Sequence, residues 1–147
     1  VIGFTLAMDA RDAARYRLAW ADEIELDLPP LGGLPLSGQR RADDYTRDAI
    51  ALVSEFEATQ HVSGNHLISV DGDRGRCICY ILATHYLPLE DADPWLKVGV
   101  RYDLGARRFD EIGWRFNSFR LTALWSKGNG GLWKIVGRRL AQRRANI

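Results

Sequence analysis

The hydrophobic pattern changes its period at Thr59, and this change constrains the fold more than any other feature of the chain. Before Thr59, apolar residues recur at the three- and four-residue spacing of helices. After it they alternate with polar residues, as on strands that bury one face. The alternating segments are TQHVSGNHLISV, RCICYILATHYLPL, WLKVGVRYDL and WRFNSFRLTALW. Turn sequences such as DGDRG separate them, so we predict four long antiparallel strands.

The rest of the chain adds helices, one short strand and a loop to these four strands. The predicted elements are a helix over residues 1–21 that is interrupted near Asp9, a strand over 23–28, a Pro- and Gly-rich loop over 29–38, a helix over 41–56 and a short amphipathic helix after Gly128. Helices followed by hairpin-connected strands are typical of an α+β domain. We therefore expect a single domain over residues 1–147. Its curved antiparallel sheet is expected to form a cone, or α+β barrel, with the N-terminal helices packed over the concave face.

Composition excludes several classes of protein. A hydrophobic share of 46% and 15 aromatic residues exclude a disordered chain. The formal net charge of +1 gives no global attraction to nucleic acid or anionic lipid. No apolar run approaches the ~18 residues of a membrane-spanning helix. We therefore expect a soluble protein that binds neither nucleic acid nor membrane.

The only two cysteines, Cys77 and Cys79, lie two positions apart on a predicted strand. Such side chains point in parallel, which is poor geometry for a disulfide, and no second pair of cysteines is present to complete a zinc site. Reduced thiols indicate a cytoplasmic protein. Because the chain starts at Val1 without Met, we also expect a short native N-terminal segment to be missing.

The C-terminal tail carries a net charge of +5 after Gly128. A basic tail is compatible with nucleic-acid binding. Leu132, Val136 and Leu140, however, interleave with the charges at helical spacing. This pattern favours a helix docked on the domain or on a neighbouring subunit.

The chain has three histidines, and strand parity gives each an orientation. His85 shares a face with Cys77, Cys79, Ile81 and Ala83, so it points to the apolar side of the sheet either as a hydrogen-bonded core residue or as a pocket group. His61 and His66 would face opposite sides of a regular strand, although a bulge at Gly64 would change that parity. No His-x-His pair occurs, so we predict no metal site and no cofactor.

Asp9 lies where the first helical segment is interrupted. One interpretation is local, with Asp9 capping the segment that begins at Ala10 and Asp12 favourably placed against the helix dipole. In the other, the Asp9 carboxylate projects into the mouth of the cone and orients a histidine as the second member of a proton-transfer dyad.

Three stretches resemble the SnoaL-like proteins of the nuclear transport factor 2 superfamily. They are LAMDARDAARYRLAWADEIELD, ATQHVSGNHLISVDGDRGRCICYILATHY and a hairpin containing GW that ends in RLTALWSKGN. Within that superfamily the chain most resembles the scytalone dehydratase and hexachlorocyclohexane dehydrochlorinase families. The resemblance implies that Asp9 and His61 form a catalytic pair and that His85 is a second pocket histidine. Loose matches to the dehydratase pocket fall at Tyr102, Asn117 and Ser118.

The resemblance implies a cofactor-independent, dehydratase-like lyase that acts on a small cyclic, largely apolar substrate. We expect Asp9, His61 and His85 to be catalytic, and the substrate to contact Trp20, Phe56, Tyr102, Phe116 and Asn117. It also implies a homo-oligomer, with a trimer favoured over a dimer. Two alternatives use the same fold: a noncatalytic ligand-binding or oligomerisation module, and an isomerase similar to ketosteroid isomerase, which would return the proton to a different carbon.

Overall fold

A computed structural model describes residues 1–146 as an α+β fold built on a six-stranded sheet. The helices are α1 (Ile2–Asp9), α2 (Ala13–Arg17), α3 (Ala42–Ser54) and α4 (Leu132–Ala145), and a 3-10 turn spans Leu31–Gly33. The strands are β1 (Trp20–Asp27), β2 (Gly38–Arg41), β3 (Ala58–Asp71), β4 (Arg74–Tyr86), β5 (Trp95–Phe109) and β6 (Gly113–Gly128). The predicted order of helices followed by four long strands is confirmed.

The sheet has the order β2-β1-β6-β5-β4-β3. Strands β3 to β6 pair with their sequence neighbours in antiparallel fashion, as expected from the turns between them. The expectation of a wholly antiparallel sheet is wrong at one position, because β1 runs parallel to β6. The sheet is curved but remains open between its edge strands β2 and β3, so the term barrel does not apply to it.

The first predicted helix is shorter than expected. Helix α2 ends at Arg17, and Trp20 already pairs with Phe116 of β6. Trp20 lies four positions after Tyr16, so its burial imitates a continuing helical stripe, and only the pairing with β6 reveals the strand. Strand β2 was missed because its sequence, Gly38–Arg41, is polar and lies at an edge, where no apolar alternation is needed.

Helix α4 docks on the domain, as its apolar spacing predicts. Leu132, Val136 and Leu140 are buried in the common core. Ion pairs join Arg143 to Glu55 at 2.9 Å and Arg144 to Asp48 at 3.0 Å, which hold the helix against α3. The end of the predicted basic tail, Ile147, lies outside the described residues.

The core fills the space between the concave face of the sheet and the helices. It draws on α1, α3, α4 and the inward positions of β1, β4, β5 and β6. Cys77 and Cys79 are free thiols within this core. No helix within residues 1–146 is both long enough and apolar enough to cross a membrane.

Candidate functional site

A cavity of about 360 Å³ lies between the concave face of the sheet and the helices. Among the described residues its polar lining consists of His61, His85, Tyr45, Tyr102 and Ser126, and none of the Asp, Glu, Lys or Arg residues described borders it. The apolar lining consists of Met8 of α1, Ala49, Leu52 and Val53 of α3, residues Ala83, Leu96, Val98, Val100, Phe119, Leu121 and Ala123 of the sheet, Leu28, Pro29, Pro30, Leu31 and Leu36 of the loop, and Trp133 of α4. The cavity therefore suits an uncharged ligand with much apolar surface.

Asp9 and His61 meet at the rim of this cavity. The Asp9 Oδ1 lies 2.7 Å from the His61 Nδ1, and its Oδ2 accepts the His61 backbone N–H at 2.8 Å. An ionised carboxylate can only accept hydrogen bonds, so the His61 ring carries its proton on Nδ1 in the neutral state. The lone pair is then on Nε2. Because His61 also lines the cavity, it can act as a base toward a ligand.

Two further residues hold Asp9 in place. Thr59 donates its hydroxyl to Asp9 Oδ1 at 2.9 Å, and Arg11 donates to the Asp9 carbonyl at 2.6 Å. Burial by itself would raise the pKa of the Asp9 carboxyl, but the hydrogen bonds from His61 and Thr59 outweigh it, so this pKa lies below its usual range. Asp9 is thus ionised at neutral pH.

The cap of α2 is a different aspartate. Asp12 accepts a hydrogen bond from the backbone N–H of Arg15 at 2.9 Å, as the N-cap residue of this helix. The interpretation of Asp9 as the cap of the second helical segment is therefore wrong, since Asp9 is the last residue of α1. Its side chain turns to β3 instead.

His85 faces inward, as strand parity predicts, and the structure shows that His61 faces inward as well. The inward face of β4 carries His85 and Ala83, which pair with Thr59 and His61 of β3, so all four lie on one face. The irregularity suspected at Gly64 lies between that residue and Leu67, beyond His61. His66 falls within it and is exposed, away from the cavity.

His85 is a buried, neutral group beside the dyad. It is 4% exposed, and its ring centroid lies 5.7 Å from that of His61, 4.9 Å from Phe56 and 5.0 Å from Trp133. Burial, together with the nearby His61 ring, lowers the pKa of His85 to about 4. Its Nδ1 has no hydrogen-bond partner within the described residues. Buried polar atoms are rarely left unpaired, so this nitrogen is an exception within a ring that lines the cavity.

Two tyrosines add polar groups to the cavity lining, Tyr102 from β5 and Tyr45 from α3. Tyr102 is 4% exposed and lines the cavity, and burial raises the pKa of its hydroxyl well above the usual range. Burial also raises the pKa of Tyr45 to about 12, while its hydroxyl lies 3.2 Å from that of Tyr16. Both cavity tyrosines are therefore neutral hydrogen-bonding groups.

Of the five predicted substrate contacts, only Tyr102 borders the cavity. Trp20 and Phe116 belong instead to an aromatic cluster with Phe4 and Tyr16, in which Phe4 lies 5.4 Å from Trp20 and 5.9 Å from Phe116 between ring centroids. The cluster fills its space, which the aromatic composition alone cannot reveal.

Phe56 and Asn117 also lie outside the lining. Phe56 is 3% exposed and stacks behind His85, so it touches a lining residue but not the cavity. Asn117 lies on β6 near the irregular pairing with Gly105, and it too does not border the cavity.

The sequence analysis missed three residues that shape the site: Arg11, Thr59 and Trp133. Thr59 could have been found by parity, since it lies two positions before His61 on the same strand face. Arg11 reaches the site through a left-handed backbone with a φ of 57°, which no sequence pattern signals. Trp133 belongs to the predicted C-terminal helix, and its ring packs 5.0 Å from that of His85, a contact that helical spacing does not predict.

Within residues 1–146, no group of three or more His, Cys, Asp or Glu side chains is arranged to hold a metal ion. The described groups that meet at the cavity are the Asp9 carboxylate and the His61 imidazole, and the neutral His85 ring lies beside His61. This arrangement can move a proton at a ligand without any further group.

The fold and the cavity define a small α+β protein with an apolar cavity between a curved sheet and covering helices. The chain belongs to the SnoaL-like domain family, whose sequence profile matches residues 1–120. This finding confirms the resemblance drawn from the sequence. No curated protein matches the sequence significantly.

Several solved structures share the fold. The Kfla4162 protein from Kribbella flavida is 25% identical, with a TM-score of 0.78, over 92% of this chain and 89% of that chain. A protein named as a candidate scytalone dehydratase from Novosphingobium aromaticivorans is 17% identical, with a TM-score of 0.71, over 87% and 81%. A type 3 hexachlorocyclohexane dehydrochlorinase from Novosphingobium barchaimii is 18% identical, with a TM-score of 0.70, over 88% and 85%. The structural neighbours thus include proteins named for elimination reactions.

Proposed function

We propose that this protein is a cofactor-independent, dehydratase-like lyase that acts on a small cyclic, largely apolar substrate. The observation that carries the proposal is the 2.7 Å contact between Asp9 Oδ1 and His61 Nδ1, which leaves the His61 Nε2 as a base at the rim of an apolar cavity. A volume of about 360 Å³ and a lining without charged side chains suit a neutral ring compound.

In the proposed reaction, His61 Nε2 removes a proton from a carbon beside a carbonyl group. The electron pair of that C–H bond passes through an enolate and forms the new double bond as a hydroxyl leaves the neighbouring carbon. The leaving hydroxyl takes the proton back from the imidazolium and departs as water, so the enzyme returns to its starting state. Asp9 stabilises the imidazolium between the two proton transfers.

His85 supports this reaction as an uncharged group. With a pKa of about 4, it is neutral at physiological pH and can donate its ring N–H to the substrate oxygen or hold a water there. The Tyr102 hydroxyl is a second neutral donor on the wall. Charge that develops on the substrate oxygen would then be stabilised in a site with little water.

The test is a screen of neutral cyclic β-hydroxyketones in D₂O, with mass spectrometry to detect loss of water and deuterium on carbon. We expect turnover by the wild type. We expect His61→Ala and Asp9→Asn each to reduce it by about 10² to 10⁴, the contribution of a positioned general base. His66→Ala is the matched control, because it removes an exposed histidine of the same strand.

Three outcomes would overturn the proposal. Wild-type turnover in either dyad variant would exclude the Asp9–His61 mechanism. Deuterium exchange with an isomerised product that keeps its oxygen would indicate an isomerase. Tight retention of a ring compound through purification, with no conversion, would indicate a ligand carrier.

We also propose that the protein is a homo-oligomer, with a trimer favoured. One cross-strand row on the outer face of the sheet contains Val62, Leu82, Gly99 and Trp125, and its three large side chains are 54%, 40% and 52% exposed. Such a contiguous apolar patch supports a protein interface. Sedimentation should give about three times the 16.6 kDa chain mass, and Leu82→Lys should lower it. A monomeric or dimeric wild type would contradict the trimer.

A further inference from the structure

Arg11 adopts an unusual backbone conformation to reach the dyad. Its φ is 57°, in the left-handed region that L side chains rarely occupy, and it lies two residues after Asp9, the last residue of α1. Residues other than glycine hold this conformation only where the surrounding contacts compensate for it. At Arg11 the left-handed residue closes α1, since its N–H bonds the Met8 carbonyl at 3.0 Å and the next N–H bonds the Ala7 carbonyl at 2.9 Å. The guanidinium group adds contacts of its own.

The Arg11 guanidinium makes three hydrogen bonds at the start of β3. Nη1 donates to the Asp9 carbonyl at 2.6 Å and to Thr59 Oγ1 at 2.7 Å, and Nη2 donates to the Phe56 carbonyl at 3.3 Å. None of these acceptors borders the cavity, and neither does Arg11. The group therefore acts on the site from outside it.

The hydrogen bond from Arg11 to Thr59 determines where the proton of the Thr59 hydroxyl points. A guanidinium has only donors, so Thr59 Oγ1 must accept from Arg11. A hydroxyl has a single proton, and with Arg11 occupying an acceptor position that proton is directed to Asp9 Oδ1, 2.9 Å away. Asp9 Oδ1 thus receives Thr59 on one side and His61 Nδ1 on the other. Two donors therefore share this one carboxylate oxygen.

We propose that Arg11 is a positioning residue that acts through Thr59: it holds the Thr59 hydroxyl as a donor to Asp9, and so keeps Asp9 bonded to His61 Nδ1–H. This inference deepens the proposed function, because it concerns the same dyad. It makes a claim about the free protein, however, so it can be tested without any substrate.

The measurement is the rate at which the His61 Nδ1–H proton exchanges with water, observed by NMR in the free protein. In Arg11→Gln and in Thr59→Val we expect exchange to be roughly 10- to 100-fold faster, the effect of weakening one hydrogen bond to a charged group. Thr59→Ser keeps the hydroxyl and should restore the slow exchange. Arg15→Gln, which removes an exposed arginine of α2, is the matched control.

The double variant Arg11→Gln/Thr59→Val separates positioning from a merely structural role. If Arg11 acts through Thr59, the double variant should exchange no faster than either single variant, since both remove the same interaction. Effects that multiply would show that Arg11 only ties the turn after α1 to β3, and would overturn the inference. Slow, wild-type exchange in a folded Arg11→Gln variant would overturn it as well.

Two further outcomes remain informative. If Arg11→Gln does not fold, the comparison of Thr59→Val with Thr59→Ser still decides the matter, because slow exchange in Thr59→Val contradicts the inference. If the exchange rates change as expected but the protein converts no substrate, then Arg11 positions the dyad and the proposed lyase function alone fails.

Discussion

The aromatic cluster and the cavity lie side by side under the same sheet, and each contains a buried nitrogen that has no hydrogen-bond partner among residues 1–146. In the cluster it is Trp20 Nε1, surrounded by packed rings; at the cavity it is His85 Nδ1. Tyr102 lies between them, stacked on Phe4 on one side and lining the cavity on the other. The two regions bury similar groups but differ in packing, since ring contacts surround Trp20 whereas about 360 Å³ stays open beside His85.

The largest expected difference concerns the tryptophans of the two regions. Trp20→Ala removes a side chain that is 1% exposed, so it should lower the free energy of unfolding by about 3 to 5 kcal/mol. Trp133→Ala should cost clearly less, because Trp133 is only partly buried and borders space that is already empty. Urea unfolding at one fixed protein concentration gives both values. Equal losses would contradict the distinction between a packed cluster and an open cavity.

A smaller effect is expected on the free energy of unfolding as the pH changes, because His85 titrates differently in the folded and unfolded states. Its pKa is about 4 in the folded protein and 6.5 as a model value for the unfolded chain. Between these values the unfolded state binds a proton that the folded state does not, so stability is complete above pH 6.5 and falls as the pH drops toward 4. The loss amounts to about 3 kcal/mol.

His85→Gln should remove this slope, which urea unfolding at several pH values between the two pKa values can measure. His66→Gln is the control, since it replaces an exposed histidine on β3. The contribution of Asp9 is distinguishable: its folded pKa is below its ordinary value, so the stability it adds is lost only at more acidic pH. An unchanged slope in His85→Gln would show that His85 is not held neutral by burial.

Much of this site was predictable because it depends on strand parity and on a family pattern. Alternation on β4 placed His85 inward, and the resemblance identified Asp9 and His61, which the structure brings within 2.7 Å. Their catalytic roles stay predictions. The sequence could not separate rings that fill the core from rings that line a cavity, because Trp20 and Tyr102 have the same chemical character and the same inward direction.

Other features depend on contacts between distant segments. The parallel pairing of β1 with β6 joins residues some 90 positions apart, as in the ion pair of Asp27 with Arg120. Neither helical nor strand periodicity encodes such a partner. The same is true of Arg11, since a left-handed φ at a residue other than glycine is set by the groups it contacts after folding.

The smallest expected effect concerns α4, which carries Trp133 to the cavity and therefore maintains the difference between the two regions. Gly137 of α4 packs directly on Gly32 of the 3-10 turn, and a methyl group at Gly137 would overlap the Gly32 carbonyl oxygen. Alanine is favoured over glycine in a helix by about 1 kcal/mol, so propensity alone predicts that Gly137→Ala is stabilising. The backbone contact predicts the opposite, a loss of about 1 to 3 kcal/mol, because α4 must move away from the turn.

Gly3→Ala in α1 is the matched substitution, since a methyl group there meets nothing within 4 Å. Gly3→Ala should therefore raise the free energy of unfolding by the difference in helix propensity, because no clash opposes it. Urea unfolding of both variants gives the sign of each effect, and the ring signals of His85 report whether Trp133 has moved. If Gly137→Ala proves as stabilising as Gly3→Ala, α4 is not held by its contact with the turn. Its position over the cavity would then depend on its buried leucines and valine and on the ion pairs of Arg143 and Arg144.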